Sequence, residues 1–275
     1  MKPPRVLTVA GSDSGGGAGI EADVKTITAL GGFAETCITA LTAQNSLGVK
    51  AILPTPVWFI EAAFAAVVSD LGVDAIKTGM LPTAEAVEAV ARAIKTLPKK
   101  IPVVVDPVLR AKGGHALADK AAAHAIKTRL VPLATLLTPN VPEAETLTGL
   151  KIRDRAGMEA AGRALLAMGA KAVLVKGGHL PGGTITDLLV AGKGVDVFTA
   201  KRIRTRHSHG TGCTLASAIA LFLAHGLDAK KAVAKARGFV LKALAAAPGY
   251  GKGSGPMGHM FGRSLLSAKA VRRPV

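Results

Sequence analysis

The 275-residue sequence predicts an α/β fold of three layers, with helices over both faces of a central, mostly parallel sheet. Three observations lead there. Short β-branched runs that stop at glycine or proline alternate with segments of helical periodicity along the chain. Most polar motifs fall at the ends of the strand-like runs, where ligands sit in open parallel sheets. No linker and no repeat of roughly 20–50 residues divides the chain. One domain over 1–275 is therefore expected, with a basic tail from about 252.

The elements follow in order. RVLTVAG (5–11) is a β-branched run ending at glycine and reads as a buried strand. Across 19–32, Ile20, Val24, Ile27 and Leu30 share one helical face before a Gly-Gly stop. Residues 34–43 and 49–54 read as strands, and 55–72 as a helix with Thr55 as N-cap and Pro56 at its first position. DAIKTG (74–79) is a strand, and Thr83 caps a helix running to Lys95. IPVVVDPV (101–108) is the clearest parallel-strand run. A helix is expected over 116–131, a strand and exit loop over 134–140, helices near 142–149 and 155–169, and a strand over 171–178. A hairpin within 186–200 and helices over 212–225 and 228–246 complete the pattern.

Composition narrows the function. Hydrophobic residues at 49% exclude disorder, and aromatics at 3% argue against a protein that stacks bases on aromatic platforms. The formal charge of +17 is uneven: residues 201–275 carry 14 Lys and Arg against Asp228 alone. With no helix-turn-helix, RNP or KH signature, no nucleic-acid partner is expected; a positive field also suits small anionic ligands. Two cysteines make no disulfide framework, and the N-terminal residues lack a secretory pattern, so a cytoplasmic protein is expected. The longest uncharged stretch, 207–227, begins too polar for a membrane span.

Five motifs carry chemistry. Gly11-Ser-Asp-Ser-Gly-Gly-Gly-Ala-Gly19 joins a strand to a helix, where glycines let backbone approach a ligand and the helix start offers free N–H groups. It is not a Walker A loop, since no Gly-Lys-Ser/Thr follows. His209-Gly-Thr-Gly-Cys-Thr214 opens an uncharged helix, and Gly210 and Gly212 can gather backbone N–H groups around a phosphoryl group. Cys213 lies in its first turn, where the dipole favours thiolate and a proton acceptor. The plainer reading is a small apolar residue packing the helix. Asp106 ends a strand before Pro107 and can hold Mg²⁺ or tune a proton, or simply make an Asp-Pro turn. Asn140 and Glu143 are spaced for oxygen ligation of Mg²⁺ and equally for a capping box. Lys176, before two glycines, is a candidate phosphate partner. His207 and His209 are too few for a metal site, and His115, His124 and His225 read as solvated or packed. Of the chain's three amides, Gln44, Asn45 and Asn140, all fall in strand-exit motifs.

These motifs carry a resemblance. GSDSGGGAGIEADVKT (11–26), ALTAQN (40–45), IKTGML (76–81), VVDPV (104–108), TPNVPEAE (138–145), VKGGH (175–179), HGTGCTLASAIA (209–220) and GSGPMGH (253–259) cover almost the whole chain in order. The sequence resembles the bacterial hydroxymethylpyrimidine/phosphomethylpyrimidine kinases of thiamine synthesis, within the ribokinase-like kinases. The resemblance implies an ATP- and Mg²⁺-dependent enzyme that phosphorylates 4-amino-5-hydroxymethyl-2-methylpyrimidine and then its monophosphate. It implies Gln44 on the pyrimidine edge, and Gly11, Ala18, Met80 and Val108 lining the pocket. Gly210, Thr211 and Gly212 would form the anion hole, with Cys213 in the base position. Lys176 and Asp23 would face phosphates, and Asp106, Asn140 and Glu143 the Mg–ATP region. A homodimer is implied as well. Glu21 departs from the family's usual glutamine. The rival reading is a pyridoxal kinase of the same fold.

Overall fold

The computed structural model describes residues 2–110, 114 and 117–261. Among the described residues every strand joins one nine-stranded sheet. In chain order the elements are β1 (Arg5–Asp13), α1 (Gly19–Ala29), β2 (Phe33–Asn45), β3 (Gly48–Pro54), α2 (Val57–Asp70), β4 (Ala75–Thr78), α3 (Ala84–Lys95) and β5 (Val103–Val105). Then come α4 (Lys120–Ala125), β6 (Leu136–Leu137), α5 (Val141–Thr148), α6 (Arg155–Ala167), β7 (Ala172–Val175), β8 (Thr184–Ala191), β9 (Gly194–Lys201), α7 (Thr211–Ala224) and α8 (Ala229–Ala245).

The spatial order is β3-β2-β1-β4-β5-β6-β7-β8-β9. The run from β2 through β7 is parallel, while β3, β8 and β9 pair antiparallel at the two ends. Alternation along β1 explains the two cores. Leu7 and Val9 face one way, into a core shared with α2, α3, α5 and α6. Val6 faces the other way, into a core built with α7 and α8. The order reverses at β1, which pairs with β2 on one side and β4 on the other. Such a switch point opens a crevice at the strands' carboxyl ends, and that is where the glycine loop after β1 lies.

Several expectations shift. β2 continues through Gln44 and Asn45, which pair with Val49 and Gly48. Gln44 therefore stands on a strand end rather than in an exit loop. Thr55 is not an N-cap: its N–H is bonded to Thr39, and Pro56 takes the capping position without a side-chain bond. The helix expected over 116–131 is shorter. Asp119 caps α4 through Ala122, and the chain then passes through a π turn and a 3₁₀ turn at 131–133. Pro132 has no N–H to carry an α-helix further. His115 lies outside the described residues, as does the basic tail beyond 261. Among the described residues no helix is long and apolar enough to cross a membrane.

Candidate active site

The site is built from strand exits upward. β1 ends at Asp13, whose carboxylate turns back into its own loop and accepts N–H bonds from Gly15 (2.8 Å), Gly17 (3.1 Å) and Ala18 (2.9 Å). It also faces His209 Nε2 at 2.8 Å. Burial works to raise this carboxyl, but the bonds from His209, Gly15 and Ala18 hold it below the usual carboxylate range. Glu21 accepts from Ser12 and from the Asp13 N–H. The glycine loop is thus wound around one anion, its own Asp13. Ala18, half-buried, caps α1 from this loop. Gly11 lies against Met80, since a Cβ on it would stand 3.0 Å from the Met80 sulfur.

Across the crevice, α7 begins at Gly210, which has φ +82°. A Cβ there would stand 1.8 Å from the Gly17 carbonyl oxygen, so both the conformation and the space demand glycine. The two glycine motifs touch. The first-turn N–H groups of α7 have no intrahelical acceptor and carry the positive end of the dipole. No charged residue occupies that turn, and Thr211 turns its hydroxyl back to the Ser208 carbonyl at 2.6 Å.

Lys176 and Asp106 sit beside this helix start. The Lys176 ammonium donates to Asp106 Oδ1 at 3.0 Å, and Thr138 donates to the same oxygen at 3.0 Å. A Cβ on Gly212 would stand 3.3 Å from the Lys176 nitrogen and 3.4 Å from Asp106 Oδ2. Burial works to lower Lys176, yet Asp106 and Glu143 outweigh it and keep the ammonium protonated. Val108 is half-buried just past Asp106.

The expected magnesium set of Asp106, Asn140 and Glu143 does not form a protein cage. Asn140 and Glu143 close on each other as a capping box of α5, with bonds of 2.8 and 2.9 Å. Among the described residues no three acidic, histidine or cysteine side chains gather to hold a metal. The donors fit a different mode. Mg²⁺ in phosphoryl-transfer sites takes one or two carboxylates and fills its shell with phosphate oxygens and water. Asp106 and Glu143 are the carboxylates that could serve in that mode, and burial pushes Glu143 up to about 7, so a cation there would help ionise it.

Two further assignments change. Asp23, expected to face a phosphate, is sealed with 0% of its side chain exposed. It accepts from Lys77 (2.7 Å), Ser217 (2.7 Å) and Thr8, and so forms a buried pair beneath the site. Cys213 is a free, half-buried thiol at the start of α7, but it is not tuned to thiolate. Burial pushes it up to about 11, overriding the nearby Lys77 ammonium.

Gln44 is half-buried and places its side-chain nitrogen 2.9 Å from His209 Nε2. Asn45, by contrast, turns to the Leu47 N–H in the hairpin turn. The GSGPMGH segment closes one wall: His209 bridges to Pro256 and donates its N–H to Gly255, while Thr214 pairs with His259 at 2.8 Å. Sequence reading passes over Asp13, His209, Lys77 and Thr138. A carboxylate inside a glycine run and a lysine inside an apolar strand were the signals on offer. A cavity of about 490 Å³ is lined by Phe222, Phe239, Lys235, Lys242 and His259. None of the strand-exit residues lines it, so it is not the site.

Comparison with known proteins decides the lineage. The family model for phosphomethylpyrimidine kinase matches residues 13–258. The chain belongs to this family. A hydroxymethylpyrimidine/phosphomethylpyrimidine kinase of Streptomyces coelicolor is 48% identical over 94% of this chain and 95% of its own. A thiamine biosynthesis bifunctional protein of Geobacter sulfurreducens is 48% identical over 97% of this chain. The chain spans about half of that protein, 53%. The structure is similar to an ADP complex of Bacillus subtilis pyridoxal kinase, with TM-score 0.87 and 36% identity over 94% of this chain and 97% of that one. As a member of the phosphomethylpyrimidine kinase family the chain is a kinase with the ribokinase-like α/β architecture.

Proposed function

We propose that the protein uses ATP to phosphorylate 4-amino-5-hydroxymethyl-2-methylpyrimidine, and then the monophosphate to the pyrophosphate, in thiamine biosynthesis. One observation carries this reading: the N-terminus of α7, the Lys176 ammonium and the Asp106 carboxylate converge at Gly212. Phosphoryl transfer asks mainly for positioning and for fixed positive charge around the equatorial oxygens. Free N–H groups and a protonated lysine supply that charge without reorganising. Gln44 would read the pyrimidine edge, with Gly11, Ala18, Met80 and Val108 around the ring. Asp106 and Glu143 would hold Mg²⁺ on the nucleotide, where the ion would neutralise phosphate charge.

In the first step the substrate hydroxyl oxygen bonds to the γ-phosphorus, the bond to the bridging oxygen breaks, and ADP leaves. The hydroxyl proton passes to a base, for which Cys213 is the positioned group. With its thiol pushed up to about 11, its share of thiolate near neutrality is small and grows with pH. In the second step the nucleophile is a phosphate already ionised near pH 7, with a second pKa of about 6. It needs no base.

The likeness to pyridoxal kinase favours one second reading, phosphorylation of pyridoxal. ATP consumption with the pyrimidine alcohol, its monophosphate and pyridoxal side by side separates the two. Turnover of both pyrimidines is expected, and turnover of pyridoxal alone overturns the proposal. We also propose a cytoplasmic homodimer. Large apolar side chains exposed on β2, β3 and α2 (Leu41, Leu53, Trp58, Phe59) support a subunit face, to be checked by light scattering.

A further inference from the structure

We propose that His209 and Thr42 are positioning residues that fix the Gln44 side chain as a hydrogen-bond donor toward the ligand. The ligand atom it reads is then an acceptor, a heteroaromatic ring nitrogen rather than an amino group. This rests on the assignment of Gln44 to the pyrimidine edge.

Two neighbours of the amide agree. His209 Nε2 lies 2.8 Å from Asp13 Oδ2 and 2.9 Å from the Gln44 side-chain nitrogen. One ring nitrogen either donates or accepts. Asp13 is an ionised acceptor already holding three loop N–H groups, so the nitrogen facing it carries the hydrogen. That N–H cannot also accept from the Gln44 amino group. The 2.9 Å contact is a hydrogen bond only if the amide turns its oxygen to His209. The two ends of an amide have the same shape, so the hydrogen-bond network decides which one faces His209.

Thr42 makes the same choice independently. Its hydroxyl hydrogen goes to the Ser12 carbonyl at 2.9 Å. Its oxygen then lies 3.4 Å from the Gln44 oxygen as placed, two acceptors facing each other. Turning the amide replaces that pair with an N–H to hydroxyl contact. One arrangement satisfies every member: Asp13 and the Gln44 oxygen share the His209 N–H, one Gln44 hydrogen goes to Thr42, and the other is left over. The remaining Gln44 hydrogen donates to the ligand. His209 is itself held from behind, since a Cβ on Gly17 would stand 2.6 Å from its ring and its backbone is bonded to Gly255.

A double-mutant cycle on the pyrimidine alcohol tests this. His209→Phe keeps the ring and removes the N–H. It should raise KM for the alcohol about tenfold, with kcat and the KM for ATP held within about twofold, since one neutral hydrogen bond is at stake. In a Gln44→Ala background the same change should add nothing. Replacing one ring nitrogen of the substrate by CH should remove the Gln44→Ala effect at one of the two positions. His209→Gln, which retains an N–H, should recover most of the affinity. Thr42→Val, which gives up one bond to the Ser12 carbonyl and leaves His209 in place, should raise the same KM and serves if His209→Phe fails to fold. Additive losses from His209 and Gln44, or equal shifts in kcat and in the KM for ATP, would make His209 a loop latch only and overturn the proposal. An unchanged KM in Gln44→Ala instead overturns the substrate-edge assignment, and the proposal with it.

Discussion

Replacing Lys77 by methionine should cost far more stability than any exposed pair in the protein. Both side chains of the Lys77–Asp23 pair are 0% exposed, and the nitrogen sits 2.7 Å from the carboxylate. Burial works to lower the lysine, but Asp23 beside it wins and keeps it charged. Removing one member of a buried pair costs about 3–5 kcal/mol, because the other charge is stranded away from water. Here Thr8 and Ser217 still donate to Asp23, so the low end applies. A loss of about 3 kcal/mol corresponds to a Tm drop of roughly 6–12 °C for a domain of this size. Guanidinium unfolding followed by circular dichroism measures it, with an unchanged m-value showing that the unfolded state is the same. The double variant Asp23→Asn, Lys77→Met removes both charges and keeps the hydroxyl partners supplied. It should recover at least half of the loss. A single-variant cost below about 1 kcal/mol, or a double-variant cost equal to the sum of the singles, would refute the reasoning.

Three other outcomes are expected. The rate of the first phosphorylation should climb with pH toward about 11 and lose that climb in Cys213→Ala, while the second phosphorylation stays flat; pH–rate profiles with the two substrates check it. Gly210→Ala, at φ +82° and against the Gly17 carbonyl, should cut kcat at least about 100-fold by displacing the helix start, read by steady-state kinetics with circular dichroism as the control. Glu35 is buried on β2 with neither carboxylate oxygen hydrogen-bonded, and burial pushes it up to about 7 from 4.5. Its folded form holds the proton more tightly than the unfolded chain. Stability is therefore full below about pH 4.5 and falls as pH rises to about 7, by up to about 3 kcal/mol. Glu35→Gln should flatten that decline in denaturation curves taken at pH 4.5 and 8.

What the sequence disclosed depended on range. The glycine loop, the His209–Thr214 motif, Asp106 and Lys176 each sit where a strand ends or a helix begins, and such junctions are written in adjacent residues. Their convergence follows from parallel strands ending on one side. Continuous β-branched runs also locate β1 and β5, yet they do not say that Lys77 faces a buried carboxylate from α1. That depends on which face two elements share. The Cys213 thiol was misjudged because a helix dipole is a local property and burial is not. Asn140 and Glu143 had two legible readings, and the capping bonds are the one the backbone uses. His209 was invisible as a partner of Asp13, which lies 196 positions earlier.

That separation has a consequence for synthesis. The loop at 14–18 emerges early, but the groups that close on it, His209, Gly210 and Pro256, come from the last quarter of the chain. At about 5–20 residues per second, the loop waits roughly 10–40 s for its partners. Ser46 waits as well, for the Gly253 and Ser254 N–H groups. Contacts this distant in sequence are slow to form. The face of the sheet that carries Leu7 and Val9 can be covered as it is made, while the opposite face and the site both wait for α7. Any chain halted before α7 lacks both the phosphate cradle and the helices that cover the Val6 face of the sheet.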